Sequence, residues 1–379
     1  MAEEGPRGSV LERAGVRYLQ ALASKSRVTT DGPVHVLTAR ERAELKRVER
    51  EAIARAALAG ALSGLVCAVP ALALSAPGAG APLGALARYW GVVGGVTVVA
   101  SVLEILYLYR DGLRAVHDLA RAAGLDLGGG ALASDPSSAL WSLARAALEL
   151  PNPPDGVPGV NPLREASRLR LLVVSTVYKL KVALTGFLAK ALLRRALGRA
   201  ATRAVLELVA VPVTALWDAV VCWLILREAR LRVLGPSAAL EFTALLLPPG
   251  HTFDARARAC AVRAVGAAVV RTQDLHPNLV ALLRALRDAA GVEADGLDDS
   301  RRFLDELRGL DDHGQSLVLR TLAAASILDG RVAQHEARLL REAFDAAGVP
   351  CDLQAVERLR RAFVSGDPIP RERLDAIRG

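Results

Sequence analysis

The sequence predicts an all-α protein: a membrane-embedded helical hairpin, a second apolar helical pair, and a C-terminal helical bundle. Three observations predict it. Apolar residues make up 52% of the 379 while aromatics are only 4%, so the hydrophobicity rests on Ala, Leu and Val, which suit helices better than sandwiches or barrels. Between Arg55 and Arg88 no charged residue occurs for 32 positions. From residue 275 onward, apolar residues recur at helical spacing between short turns. Such an apolar content excludes a disordered or fibrous chain, and the length predicts two or three structural units.

Charge is distributed unevenly. The 48 Lys+Arg and 40 Asp+Glu leave a net +8, with only five lysines among the basic residues. Residues 275–379 hold 15 basic and 18 acidic side chains, while the remainder carries a net +11. Arg enrichment of this kind follows base composition as readily as function, so no nucleic-acid partner is predicted. Cys67, Cys222, Cys260 and Cys351 stand alone without CxxC spacing, which predicts reduced thiols rather than a zinc site or a disulfide framework. The first long apolar run begins beyond residue 50, so no signal peptide is expected.

Residues 1–55 read as an N-terminal stem with helices over 9–24 and 40–55. Residues 56–109 follow as the hairpin. Its first arm supplies ~20 apolar residues, enough at ~1.5 Å rise to match a hydrocarbon core of ~30 Å. The Pro- and Gly-rich stretch 76–84 breaks both arms. The second arm, 89–109, is uncharged apart from Glu104, with Tyr89 and Trp90 at one end and Tyr107 and Tyr109 at the other, where interfacial aromatics belong. Arg40, Arg42, Lys46, Arg47, Arg50 and Arg55 precede the hairpin and Arg110 and Arg114 follow it, whereas its loop carries only Arg88. The positive-inside rule places both flanks in the cytoplasm. Gly60 with Gly64, and Gly91 with Gly95, stand four apart and open grooves for helix packing. Intramolecular packing is the preferred reading and homo-oligomerisation the other. A buried hairpin in a soluble core is the alternative to the whole membrane reading.

A connector over 110–163 is loop-rich at 124–136 and 151–162, with one short helix over 138–150 between. Residues 164–232 hold the second apolar pair, spanning or interfacial. Its first member contains Lys179, Lys181 and Lys190, and its second Pro212 and Asp218. A Lys or Asp at mid-helix raises the insertion free energy by ~2.5–3.5 kcal/mol, so such residues draw a functional reading by default. Glu104, Lys179, Lys181 and Asp218 either line a polar pathway or satisfy one another, and the structural reading is preferred. Residues 233–274 form an amphipathic connector whose helix over 254–272 carries Arg256, Arg258, Arg263 and Arg271, a pattern suited to the membrane surface.

The bundle over 275–379 has expected helices at 276–290, 300–309, 314–328, 333–347 and 352–364. Its segment Leu328-Asp329-Gly330-Arg331-Val332-Ala333-Gln334-His335-Glu336 joins an apolar helix to an Asp-Gly turn, an aliphatic residue and an early helical Glu. This resembles the TerB-like family, and Phe363, Gly366 and Asp367 fit as well. The resemblance covers roughly residues 300–370. The preceding portion resembles that of an uncharacterised bacterial membrane family ending in a TerB-like domain. TerB proteins are associated with tellurite resistance and envelope stress, with metal or protein partners held through acidic side chains. The resemblance therefore implies Asp329 and Glu336 as candidate metal ligands.

Local chemistry gives those two residues a plainer role. Asp-Gly is a turn dipeptide, and Glu336 near a helix start complements the dipole by ~0.3–1 kcal/mol. Ala333 lacks the oxygen a capping box expects. Two carboxylates are too few for a cation needing ~6–8 oxygens, so no cofactor is expected and a divalent metal is the alternative. His313 and His335 read as solvated. No P-loop, dinucleotide fingerprint, HExxH or nucleophile elbow occurs, so no enzyme is expected. The sequence thus predicts a multi-pass bacterial inner-membrane protein with cytoplasmic termini, whose lipid-anchored TerB-like bundle senses or recruits an unknown protein partner in stress response. The alternative is a small-solute or ion pathway regulated by that bundle.

Overall fold

The computed structural model describes residues 9–25, 33–74, 80–128, 135, 138–153, 159–162, 164, 203–250, 253–291 and 296–378. Among them the regular elements are all helices. The chain divides into two compact units: Met1–Leu45, His117–Ala166 and Glu228–Gly379 form the first, and Lys46–Val116 with Ser167–Arg227 the second.

Unit 1 opens with α1 (Val10–Ala23), started by a capping box in which Ser9 Oγ accepts from Glu12 N and Glu12 Oε2 from Ser9 N. Its buried stripe of Gly15, Val16 and Leu19 packs on α4 (Ala139–Ala147). A second box, between Thr38 and Glu41, starts α2 (Ala39–Ala73). The expected stem helix and the first apolar arm are therefore one element, because no breaker separates Arg55 from residue 56. The second arm likewise continues past Tyr109 as α3 (Leu83–Ala122), and α5 (Arg203–Leu246) continues past the basic residues at 227–232.

The core of unit 1 forms around α6 (Ala255–Thr272), which packs on α7 (Pro277–Ala290), α8 (Ser300–Arg308), α9 (Asp312–Ala325) and α10 (Gln334–Ala346). This corrects the surface-amphipathic expectation for 254–272. Small residues cover nearly every face of α6, and twelve of its residues, from Ala257 to Val270, are buried. Gly266 lets a loop approach so closely that a Cβ there would lie 2.1 Å from the Leu297 carbonyl oxygen. Three of the four arginines of α6 turn to protein partners: Arg263 to Glu306, Arg258 to the Ala290 carbonyl, and Arg271 to Glu342 at 3.0 Å, while Arg256 is exposed.

The later helices keep the predicted order within a few residues. Asp299 caps α8 and Asp311 caps α9. Asp352 starts α11 (Leu353–Ser365), which Gly366 ends in the left-handed region at φ 73°. Residues 371–375 add a last short helix, α12 (Arg371–Asp375). Phe303, Leu317, Leu322, Leu340, Phe344 and Val356 are fully buried, each worth ~1.5–3 kcal/mol relative to exposure. His313 is exposed but stacks on Phe253 at 4.5 Å, a partner its solvated reading did not anticipate. All four cysteines are free, with Cys222 and Cys260 buried.

In unit 2, α2 and α3 run antiparallel: Arg55 pairs with Asp111, and Ser63, further along α2, meets Glu104, further back in α3. The α5 segment of this unit is also antiparallel to α2, since Gly60 lies against Thr214 and Asp218, and Gly64 against Val211. Both α2 and α3 are long and apolar enough to cross a membrane. Their burial is the reverse of a soluble core. Of the most apolar 18-residue stretch, 28% is buried in α2 and none in α3. Leu58, Leu62 and Val69 of α2, Val98, Leu103 and Leu106 of α3, and Leu216, Trp217 and Trp223 of α5 are exposed.

Candidate functional site

Between the helices of unit 2 lie a few polar side chains. Asp218 is buried, and its Oδ2 has no hydrogen-bond partner. Glu104 of α3 is the carboxyl that interacts with it. Glu104 in turn accepts a 2.6 Å hydrogen bond from the Ser63 hydroxyl. Thr214, one turn before Asp218, donates to the Gly60 carbonyl at 2.8 Å and to the Val211 carbonyl at 3.0 Å. The close approach depends on glycine. A Cβ at Gly60 would lie 2.5 Å from Asp218 Oδ2 and 2.7 Å from the Thr214 carbonyl oxygen, and one at Gly64 would lie 2.7 Å from Thr214 Oγ1.

Glu104 and Asp218 are thus brought together by three helices, as sequence-predicted polar residues. Their expected neighbours Lys179 and Lys181 lie outside the described residues. The two glycine pairs part company: Gly60 and Gly64 form a helix-packing groove, but Gly91 and Gly95 have no described atom within 4 Å of a built Cβ. Among the described residues, Gly91 and Gly95 are exposed and no neighbouring helix packs on them. Ser63 and Thr214 were missed from the sequence. The available signal was their spacing, since Ser63 follows Gly60 by three and Thr214 precedes Asp218 by four, placing each on the same helix face. Arg55, read as a flanking positive charge, pairs with Asp111 at 2.9 Å.

In unit 1, Asp329 and Gly330 form the expected turn. Asp329 Oδ1 accepts from the Arg331 amide at 2.8 Å, and Gly330 takes φ 73°. Only glycine fits there for a second reason: a Cβ would lie 2.5 Å from Leu231 Cδ1. Glu336 is 1% exposed. Its Oε2 accepts from the Ala333 amide at 2.8 Å, completing the half of a capping box that an alanine permits. Its Oε1 is buried without a partner. Burial, reinforced by the neighbouring Asp329, pushes Glu336 up to about 9. Burial also raises Asp329.

A neighbouring cluster escaped the sequence reading. Burial alone raises Glu228, but His276 at 3.2 Å and Arg232 at 2.8 Å outweigh it and hold the carboxylate down at about 2. Arg232 also donates to the Ser142 carbonyl at 2.7 Å, and Asn278 Nδ2 joins the carbonyls of Leu231 and Leu328. These residues come from three helices far apart in sequence, so no local spacing marks them. Among the described residues no group of three or more His, Cys, Asp or Glu is arranged to hold a metal ion. Compared with known protein families, curated proteins and solved structures, the chain matches none.

Proposed function

We propose that the chain is a non-enzymatic bacterial inner-membrane protein whose unit 2 lies in lipid and whose unit 1 is a cytoplasmic sensing or recruitment module. The observation that carries this reading is the outward apolar surface of α2, α3 and α5. Nine large side chains exposed to water there would cost on the order of 10–20 kcal/mol, as much as the entire stability of an ordinary domain. Lipid removes that cost. Basic stems on both sides of the α2–α3 hairpin favour a cytoplasmic location for residues 39–55 and 110–122, with the 74–82 connection outside. The TerB-like resemblance around Asp329 and Glu336 supports a role in envelope or metal stress, with an acidic surface available to a protein partner. A divalent cation at these two carboxylates is the less favoured use of the pair.

Carbonate extraction of membranes is the direct test. Full-length protein remains in the pellet and needs detergent to become monodisperse; a protein that is monodisperse in plain buffer refutes the proposal. Cysteine accessibility at position 80 checks orientation, with labelling expected only from the outer side. The Glu104–Asp218 pair favours a second reading, a small-solute or ion pathway. Flux in proteoliposomes that Asp218→Asn abolishes supports that pathway, and absence of flux with retained partner capture by unit 1 supports the scaffold.

A further inference from the structure

Asp218 is more than nine-tenths buried, its Oδ2 lacks a hydrogen-bond partner, and it points into the gap left by Gly60. Glu104 interacts with it from α3, is bonded to Ser63 one turn along α2 from Gly60, and is itself half-buried. Among the described residues, the groups that could neutralise them on α2, α3 and α5 are already engaged or neutral. On α2, Arg55 is held by Asp111 of α3, and Ser63 donates its hydroxyl to Glu104. On α5, the Thr214 hydroxyl is directed to backbone carbonyls, and Cys222 is a buried thiol. Among the described residues no basic side chain pairs with either carboxyl. Two interacting carboxylates among apolar helices repel with little screening, so with no described cation beside them they are not both ionised.

We propose that Glu104 and Asp218 form a proton-binding site within the apolar unit, sharing one proton and carrying a single negative charge. The proton lies between the carboxyls, the Ser63 hydroxyl supports the charge on Glu104, and the half-exposed Glu104 is the side from which the proton exchanges. Asp218 is the inner partner. The proposal rests on the lipid-embedded reading of unit 2. It is independent of whether unit 1 recruits a protein.

Dicyclohexylcarbodiimide tests it, because this apolar reagent modifies protonated carboxyls in apolar surroundings and spares ionised ones. Full-length protein in detergent is labelled between pH 5.5 and 9, and modified peptides are read by mass spectrometry. The expected result is labelling at Glu104 or Asp218 that persists at neutral pH and fades towards pH 9. Asp218→Asn and Glu104→Gln each lower it by about tenfold at pH 7.5, because a carboxyl without a like-charged neighbour ionises more readily. Ser63→Ala keeps both carboxyls and withdraws a donor from the ionised form, so its labelling persists to higher pH. Absence of labelling at every pH overturns the proposal. So does wild-type labelling of Glu104 in Asp218→Asn, which would show a lone carboxyl. Ser63→Ala and the wild type stand if the carboxyl variants fail to fold. Failure of the membrane reading shows separately, as protein that leaves the carbonate pellet.

Discussion

Glu336→Gln converts the buried carboxyl of α10 into a neutral group of the same shape. The wild-type side chain titrates near 4.5 when unfolded and about 9 when native. Between those values the native state binds a proton that the unfolded state has released, so stability falls as pH rises. The slope is ~1.36 kcal/mol per pH unit. From pH 5.5 to 8.5 this gives about 4 kcal/mol for a rigid site, and on the order of 2 kcal/mol once local opening admits water. Asp329, raised in the same sense, adds to the wild-type slope and leaves a remnant in the variant. Glutamine keeps an oxygen for the Ala333 amide and turns its amino group toward Asp329, so the fold is retained. The assay is hydrogen exchange of full-length protein in detergent, following the opening free energy of peptides from 334–346 after correction for intrinsic exchange. The wild type loses about 2–4 kcal/mol of protection across this range and Glu336→Gln less than half of that. Parallel profiles for the two proteins refute the assignment of Glu336 as the buried acid.

Glu228 titrates in the opposite sense. Its native value of about 2 lies below the unfolded 4.5, so its contribution is present above pH 4.5 and is lost as pH falls toward 2; Glu228→Gln lowers the melting stability at pH 7 by about 2 kcal/mol, and the difference shrinks in melts at pH 3. Arg145→Met leaves Glu12 buried without its 2.6 Å partner, which destabilises the α1–α4 contact by about 3–5 kcal/mol in denaturant titration, and adding Glu12→Gln recovers part of the loss. Gly60→Ala forces the Thr214 carbonyl away and lowers stability in detergent by about 1–3 kcal/mol, whereas Gly95→Ala, in open space, is neutral or stabilising. Equal melting temperatures for the two alanine variants would show that α2 does not pack on α5 through Gly60.

Helix class and order were readable because their causes are local, and the caps at Ser9 and Gly366, though not read, have equally local causes. Ser9 and Glu12 stand three apart, Asp329 precedes Gly330, and Gly366 follows Phe363, so each turn or box is written in adjacent residues. What could not be read locally was where a helix puts its faces. Arg256, Arg258, Arg263 and Arg271 looked like one basic stripe on α6, yet Arg263 is buried against Glu306, which lies 43 residues away. The stripe was misleading because the other faces of α6 are Ala, Val and Gly, small enough for helices to close on every side. The same reason joins residues 255–272 to the later helices instead of setting a boundary at 275.

The two carboxyl pairs, each with one buried member, place their unpartnered oxygens in opposite settings, and that difference is the strongest clue to what each pair does. Glu336 already uses one oxygen to cap its helix, and Asp329 is committed to the Arg331 amide. Removing either ligand from its backbone partner would open the 329–336 turn, so the pair is bound into the fold before any ligand arrives. Asp218 has no such duty. Neither it nor Glu104 holds a backbone group among the hydrogen bonds of α2, α3 and α5. An interior acid without a structural bond is costly to keep, and replacement by Asn or Leu would relieve that cost at once. Ser63 and Gly60 nevertheless shape a donor and a gap around the two carboxyls. A site that is unfavourable for folding and is still furnished with a donor is better accounted for by exchange of a proton than by architecture.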